Sequence, residues 1–79
     1  MTYTLLYFAS LADRAGRSAE VRDSTAHTPR ELYDEVAAAH GFAFAADRLR
    51  VAVNGAFVSW DHALAERDEI VFLPPVSGG

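Results

Sequence analysis

The stretch that most constrains this chain is Thr28-Pro29-Arg30-Glu31, followed by Leu32, Val36 and Ala39 at helical spacing and closed by His40-Gly41. A threonine hydroxyl ahead of the first turn accepts a backbone N–H, and a proline at the first helical position lacks only a donor that would go unpaired there. A glutamate three residues after the threonine completes a capping box. Glu31, Asp34 and Glu35 lie toward the positive end of the helix dipole, and Gly41 supplies the left-handed residue that ends a helix. The spacing therefore predicts a helix over Pro29–His40. The other apolar stretches are short and alternating, and one long helix among short strands dictates a helix laid over one face of a sheet.

Those strands come on both sides of the helix. Residues 2–8 alternate, with Tyr3, Leu5 and Tyr7 on one face and Thr4, Leu6 and Phe8 on the other. Ala9–Ala15 reads as a short helical segment carrying Leu11 and stopped by Gly16, and residues 18–22 as a strand pairing antiparallel with the first. Residues 42–48 form an Ala-rich loop or irregular turn whose two phenylalanines cap the core. Residues 49–53 make a strand, Asn54-Gly55 a tight turn, and residues 56–58 a short return strand. Residues 61–64 are expected to form a short helical turn, after which Arg67-Asp68 leads into the last strand, Glu69–Leu73. The expected class is α+β, a mixed four- to five-stranded sheet with one main helix packed on one face.

At 79 residues, with 51% hydrophobic and 23% charged, the chain makes one small domain with one core. A formal net charge of −4 argues against a nucleic-acid or anionic-membrane surface and suits a partner with a basic face. With no cysteine, neither a disulfide framework nor a thiolate zinc site is available. The amino-terminal stretch has no basic n-region, and Thr2, Thr4 and Ser10 interrupt it, so it reads as neither signal peptide nor membrane span. A cytoplasmic protein is expected. All seven basic side chains are arginine; a genome that favours arginine codons is the better account of this than protection of a terminal acyl group from internal amines, and the consequence is that the chain cannot accept lysine-linked copies of itself.

The last strand runs into Pro74-Pro75-Val76-Ser77-Gly78-Gly79. Two prolines lack N–H groups and cannot continue a paired central strand, so the chain leaves the sheet at Pro74. Two glycines without Cβ atoms can enter a narrow channel and offer a terminal carboxylate at close range. The organisation is thus a domain over residues 1–73 and an extended tail over 74–79. One helix covers one face of a sheet, so Leu6, Phe8, Phe57 and Leu73 are left on the other as an apolar docking patch beside the tail. The competing arrangement folds the loop around Phe42 and Phe44 over that patch.

The segments Val58-Ser59-Trp60-Asp61-His62 and Asp68-Glu69-Ile70-Val71-Phe72-Leu73-Pro74-Pro75-Val76-Ser77-Gly78-Gly79 resemble the small, sulfur-carrier subunits of molybdopterin synthase, the MoaD family. So does the opening Leu5-Leu6-Tyr7-Phe8-Ala9-Ser10-Leu11 with Ala15-Gly16. The resemblance implies a ubiquitin-like β-grasp with the first and last strands parallel at the centre. It also implies that an E1-like enzyme adenylates the Gly79 carboxylate with ATP and that a sulfur donor displaces AMP to leave a C-terminal thiocarboxylate. The tail, Pro74 to Gly78, would then enter the large synthase subunit and deliver sulfur to cyclic pyranopterin monophosphate. Phe8, Phe57 and Leu73 would dock, in an assembly of two small and two large subunits. On that reading this chain is a non-catalytic sulfur-donating subunit that binds no cofactor or metal, and the catalytic side chains belong to the large subunit. Arg67 stands where the family commonly has glycine, which is costly if that position needs positive φ, and Ala63 where proline is frequent.

Other residue patterns are weaker. His27, His40 and His62 have no ligand spacing on a common element and read as surface histidines. Asp68-Glu69 reads as solvated charge beside a turn, and Trp60 as a packing residue rather than a stacking platform. A sulfur carrier for thiazole or tRNA thiolation shares the Gly-Gly ending, and a ubiquitin-like modifier or a plain interaction module remains a distinct class.

Overall fold

The computed structural model describes residues 1–75, which form five strands and two α-helices. The elements run β1 (Thr2–Tyr7), α1 (Ala9–Ala15), β2 (Ala19–Asp23), α2 (Pro29–His40), a 3-10 turn (Ala46–Arg48), β3 (Arg50–Val53), β4 (Ala56–Phe57) and β5 (Glu69–Leu73). The sheet order is β2-β1-β5-β3-β4. β1 and β5 pair in parallel, and β2, β3 and β4 add antiparallel neighbours. The first and last strands thus share the middle of the sheet, with α2 across one face, as the β-grasp expectation requires.

The capping box forms as its residues predict. Thr28 Oγ1 accepts from the Glu31 N–H at 3.2 Å, while Glu31 Oε1 accepts from the His27 N–H at 2.7 Å, one residue before the cap. Arg30 N–H donates to Trp60 O at 3.2 Å, so the loop after β4 satisfies another first-turn donor. Gly16 and Gly41 end α1 and α2 in the left-handed conformation at φ 75° and 73°. Asn54 and Gly55, both at positive φ, form the tight β3–β4 turn.

The helix-side core comprises Tyr3, Leu5 and Tyr7 of β1, Leu32, Tyr33 and Val36 of α2, Val51 and Val53 of β3, and Ile70 and Phe72 of β5. Phe72 lies edge-on to Tyr33 at 5.2 Å and stacks on Trp60 at 5.9 Å, which confirms Trp60 as a packing residue. Residues 61–64 are not helical. The Leu64 N–H is taken by His27 O at 2.9 Å, which holds this segment across the start of α2 and leaves only a turn closed by His62 N–H to Ser59 O.

One further expectation is met and two are revised. Phe42 caps the core as expected, edge-on to Tyr7 and stacked on Tyr33, so it does not cover the open sheet face. His40 is half-buried rather than a free surface residue, with Nε2 2.9 Å from Glu20 Oε1 and its ring against Phe42. Asp68 is also more than solvated charge. Its carboxylate accepts from Asn54 Nδ2 at 2.9 Å and from the Ala65 N–H at 2.8 Å, bracing the turn into β5.

Candidate functional site

The site is built where the parallel pair ends. Tyr7 is registered with Phe72, so Phe8 and Leu73, the next residues along, lie side by side where β1 ends, with Leu73 still paired to Arg50 of β3. Phe8 keeps extended geometry at φ −124° and stays on the open face. Ala9, at φ 50°, then turns the chain into α1. Phe8, Ala9 and Ser10 meet Phe44, Leu73, Pro74 and Pro75 around a shallow apolar depression at the root of the tail. Phe44 therefore rims the patch without closing it.

Strand register extends the patch across the sheet. On the open face Leu6 pairs with Ala19 of β2 and Val71 of β5, Val71 with Ala52 of β3, and Ala52 with Phe57 of β4. This makes one apolar row across all five strands. Phe8 is 49% and Phe57 59% exposed, large apolar groups left in solvent on a face that α2 does not reach. Arg50, paired with Leu73, sets its guanidinium 4.3 Å over the Phe57 ring. Toward the opposite end the same face carries Thr4 between the exposed Val21 and Glu69, and Thr2 beside Asp23.

Of the residues expected at the site, the structure brings Phe8, Leu73, Pro74 and Pro75 together and places Phe57 on the same face at its edge strand. Val76, Ser77, Gly78 and Gly79 lie outside the described residues. Val71, Ala52, Phe44 and Arg50 also belong to the surface. Alternation with Leu73 could have found Val71; Ala52 and Arg50 become visible only once β3 is registered against β5.

Burial pushes up the hydroxyls of Tyr3 and of Tyr33, which donates to Phe44 O at 2.6 Å; the other titratable groups with perturbed ionisation sit at the β2–α2 edge of the covered face. Burial acts to raise Glu20, but hydrogen bonds from Tyr7 (2.7 Å), His40 and Arg22 (2.8 Å) overcome it and hold the carboxyl at about 2. Burial and the Glu20 carboxylate push the Tyr7 hydroxyl well up. The Arg22 Nε bond to Glu35 at 2.6 Å raises Arg22 and lowers Glu35, which also accepts from Ser24 Oγ at 2.7 Å. These groups saturate one another and line neither of the two surface depressions, so the cluster is a structural seam. Among the described residues no group of three or more His, Asp or Glu could hold a metal ion, and no helix is long and apolar enough to cross a membrane.

The geometry is thus a central strand, paired on both sides, that runs into Pro74-Pro75 beside an apolar face. Known proteins share this fold. The chain is 35% identical over 78 residues to the molybdopterin synthase sulfur carrier subunit of Escherichia coli K12, a match covering 95% of this chain and 96% of that one. The crystal structure of the Haloferax volcanii small archaeal modifier protein 1 superimposes with a TM-score of 0.78 at 26% identity, covering 95% of this chain and 98% of that chain. The fold also recurs, at a TM-score of 0.69 and 21% identity with full coverage of both chains, in a complex of subunits 1 and 2 of the Helicobacter pylori molybdopterin-converting factor. The ThiS family model matches residues 5–79, so that the tail and the sheet that launches it are matched together, and the chain belongs to the ThiS family.

Proposed function

We propose that this protein is a cytoplasmic sulfur carrier of molybdenum cofactor biosynthesis, the small subunit of molybdopterin synthase. The observation that carries the reading is the exit of the central strand β5 into Pro74-Pro75 beside the exposed Phe8, Leu73 and Phe57. The 35% identical Escherichia coli sulfur carrier supplies the pathway. A subunit that docks through this face would hold its tail in a fixed direction, because the strand before the tail is hydrogen-bonded on both sides.

The chemistry follows from the weakness of a carboxylate as an electrophile. An E1-like enzyme would bring ATP to the Gly79 carboxylate. One carboxylate oxygen attacks the α-phosphorus, pyrophosphate leaves, and the acyl adenylate results. Sulfide then attacks the acyl carbon, the bond from that carbon to the AMP oxygen breaks and AMP departs, leaving the thiocarboxylate. Gly78 would give clearance and Pro74 to Ser77 an extended path within the large subunit, where the thiocarboxylate sulfur would displace an oxygen substituent from a carbon of the pterin precursor and water would cleave the resulting thioester, leaving the sulfur on the pterin and returning the Gly79 carboxylate. This chain holds no cofactor of its own in the cycle.

A related role is favoured by a different observation, the likeness to an archaeal modifier protein, in which the same acyl adenylate would instead pass to an amine. Intact mass separates them. After incubation with host extract, ATP and a sulfide source, the carrier gains the difference between one oxygen and one sulfur at Gly79, and a variant lacking Gly79 gains nothing. High-mass adducts would point to the modifier, and an unchanged mass beside a competent control carrier to an interaction module. Transfer of that sulfur to cyclic pyranopterin monophosphate by the large subunit, and not to thiazole or tRNA precursors, assigns the pathway.

A further inference from the structure

The tail end of the open face is apolar except at one point. Arg50 pairs with Leu73 and stacks on Phe57 in a half of the face otherwise made of Leu6, Phe8, Ala52 and Val71, while the face's acidic groups, Asp23 and Glu69, lie at the far end of the strands. Two other arginines have polar partners: Arg22 is bound to Glu20 and Glu35, and Arg14 donates to Gly41 O at 3.0 Å. Among the described residues no carboxylate lies within ion-pair distance of Arg50. Its guanidinium rests instead on the Phe57 ring at 4.3 Å.

That stacking has two physical consequences. The ring occupies only one face of the guanidinium, so the N–H donors, which all lie in the guanidinium plane, stay available at its edge. The ring also narrows the rotamers of a long side chain, so little freedom is left to lose on binding. Second, Phe57 cannot be buried in an interface without taking the stacked guanidinium with it. A buried guanidinium left unpaired is strongly unfavourable, so any partner that covers Phe57 must answer Arg50.

We propose that Arg50 determines partner specificity on this face: the large subunit of the synthase presents a carboxylate, set in an apolar surface, that pairs bidentately with the guanidinium stacked on Phe57. The inference rests on the docking role given to this face above. The chain's net charge of −4 does not attract an acid at long range, so the recognition acts at contact and shows in dissociation rather than in encounter. It also selects among partners, because an apolar face lacking the acid would bury Arg50 unpaired and be rejected.

The test measures the affinity of the full-length chain for the large subunit of the same organism, by calorimetry, for wild type, Arg50→Leu, Arg50→Glu and Phe57→Ala. Arg50 is exposed, and unchanged thermal midpoints establish that the variants are folded. Losing the pair in Arg50→Leu weakens binding by about tenfold, and setting two carboxylates against each other in Arg50→Glu weakens it by about a hundredfold or more. A residue that merely props Phe57 would make the Leu and Glu variants equal. Equal affinities for those two, with Phe57→Ala still impaired, would overturn the carboxylate assignment and leave the docking face standing. Failure of wild type to bind the large subunit, or wild-type affinity of Phe57→Ala, would remove the docking role itself and this inference with it.

Discussion

The two faces of this sheet are made from alternate residues of the same strands, yet one is completed by the chain and the other is not. On the covered face Leu5, Ile70 and Phe72 are fully buried against Leu32 and Val36 of α2. One residue along each strand, Leu6, Val71 and Leu73 are half-buried and Phe8 and Phe57 stand in solvent. Hydrophobicity alone does not separate these sets; what separates them is that a single helix reaches one side. The covered face stabilises the domain, and on the proposed function the open face holds apolar surface in reserve for association.

The sharpest way to break this division is to truncate corresponding residues on the two sides. Phe72→Ala removes a ring packed between Tyr33 and Trp60 and should cost about 3–5 kcal/mol in urea unfolding, a large part of the stability of so small a domain. Leu73→Ala, one residue on but facing the other way, should cost well under half as much. Equal costs would mean that both faces contribute to folding and that the open face is no reserve.

The covered face has its own internal contrast, because its β2 edge is sealed by ions. Glu20 has an ordinary carboxyl value of 4.5 and is held at about 2 in the folded chain. A depressed carboxyl contributes stability that is fully present above its unfolded value and disappears as the pH falls through the folded one. Acid should therefore remove about 2–3 kcal/mol between about pH 4.5 and pH 2, with Glu35, also lowered, acting in the same direction. Glu20→Gln should flatten the stability profile over that window while lowering stability at neutral pH. Because these groups lie away from the open face, partner affinity at neutral pH should not change. A shift in affinity would break the separation between the two faces.

What could be read from the residues follows the range of the interactions. The α2 cap, the Gly16 and Gly41 stops and the Asn54-Gly55 turn are local, and each formed as its own few residues dictate. The apolar patch was legible through Leu6, Phe8, Phe57 and Leu73 because alternation is also local. The helical turn expected over residues 61–64 failed for the opposite reason: His27 O, far along the chain, captures the Leu64 N–H. His40 looked like a surface residue because its partner Glu20 is on another element. The positive φ of Ala9 carried no sequence signal, since alanine gives none, whereas Arg67 was marked as costly if its turn needed positive φ, and it sits at 67°.

That residue offers a smaller test, confined to the turn that feeds β5. Asp68 N–H donates to Ala65 O at 3.1 Å, closing a turn in which Arg67 occupies the third position, where positive φ favours glycine. Relieving the left-handed strain in Arg67→Gly should raise stability by about 1 kcal/mol, despite the greater chain entropy of glycine when unfolded. The Arg67 N–H bond to Thr2 O, a backbone contact, survives the change. A fall in the urea midpoint would show that the arginine side chain contributes more than its backbone costs.

The smallest expected effect is the most telling about the open face. Phe57 lies on the short edge strand β4, 59% exposed, with Arg50 as its stacked neighbour. Phe57→Ser removes a large apolar group, and in a core that would be severe. Here the ring is already mostly in water, so unfolding free energy should move by no more than about 0.5 kcal/mol. A loss of several kcal/mol would show the Phe57–Arg50 stack to be part of the fold. A near-zero change, with binding to the large subunit lost, would show a side chain retained for a surface this chain does not itself provide, because folding stability gives no reason to keep phenylalanine there.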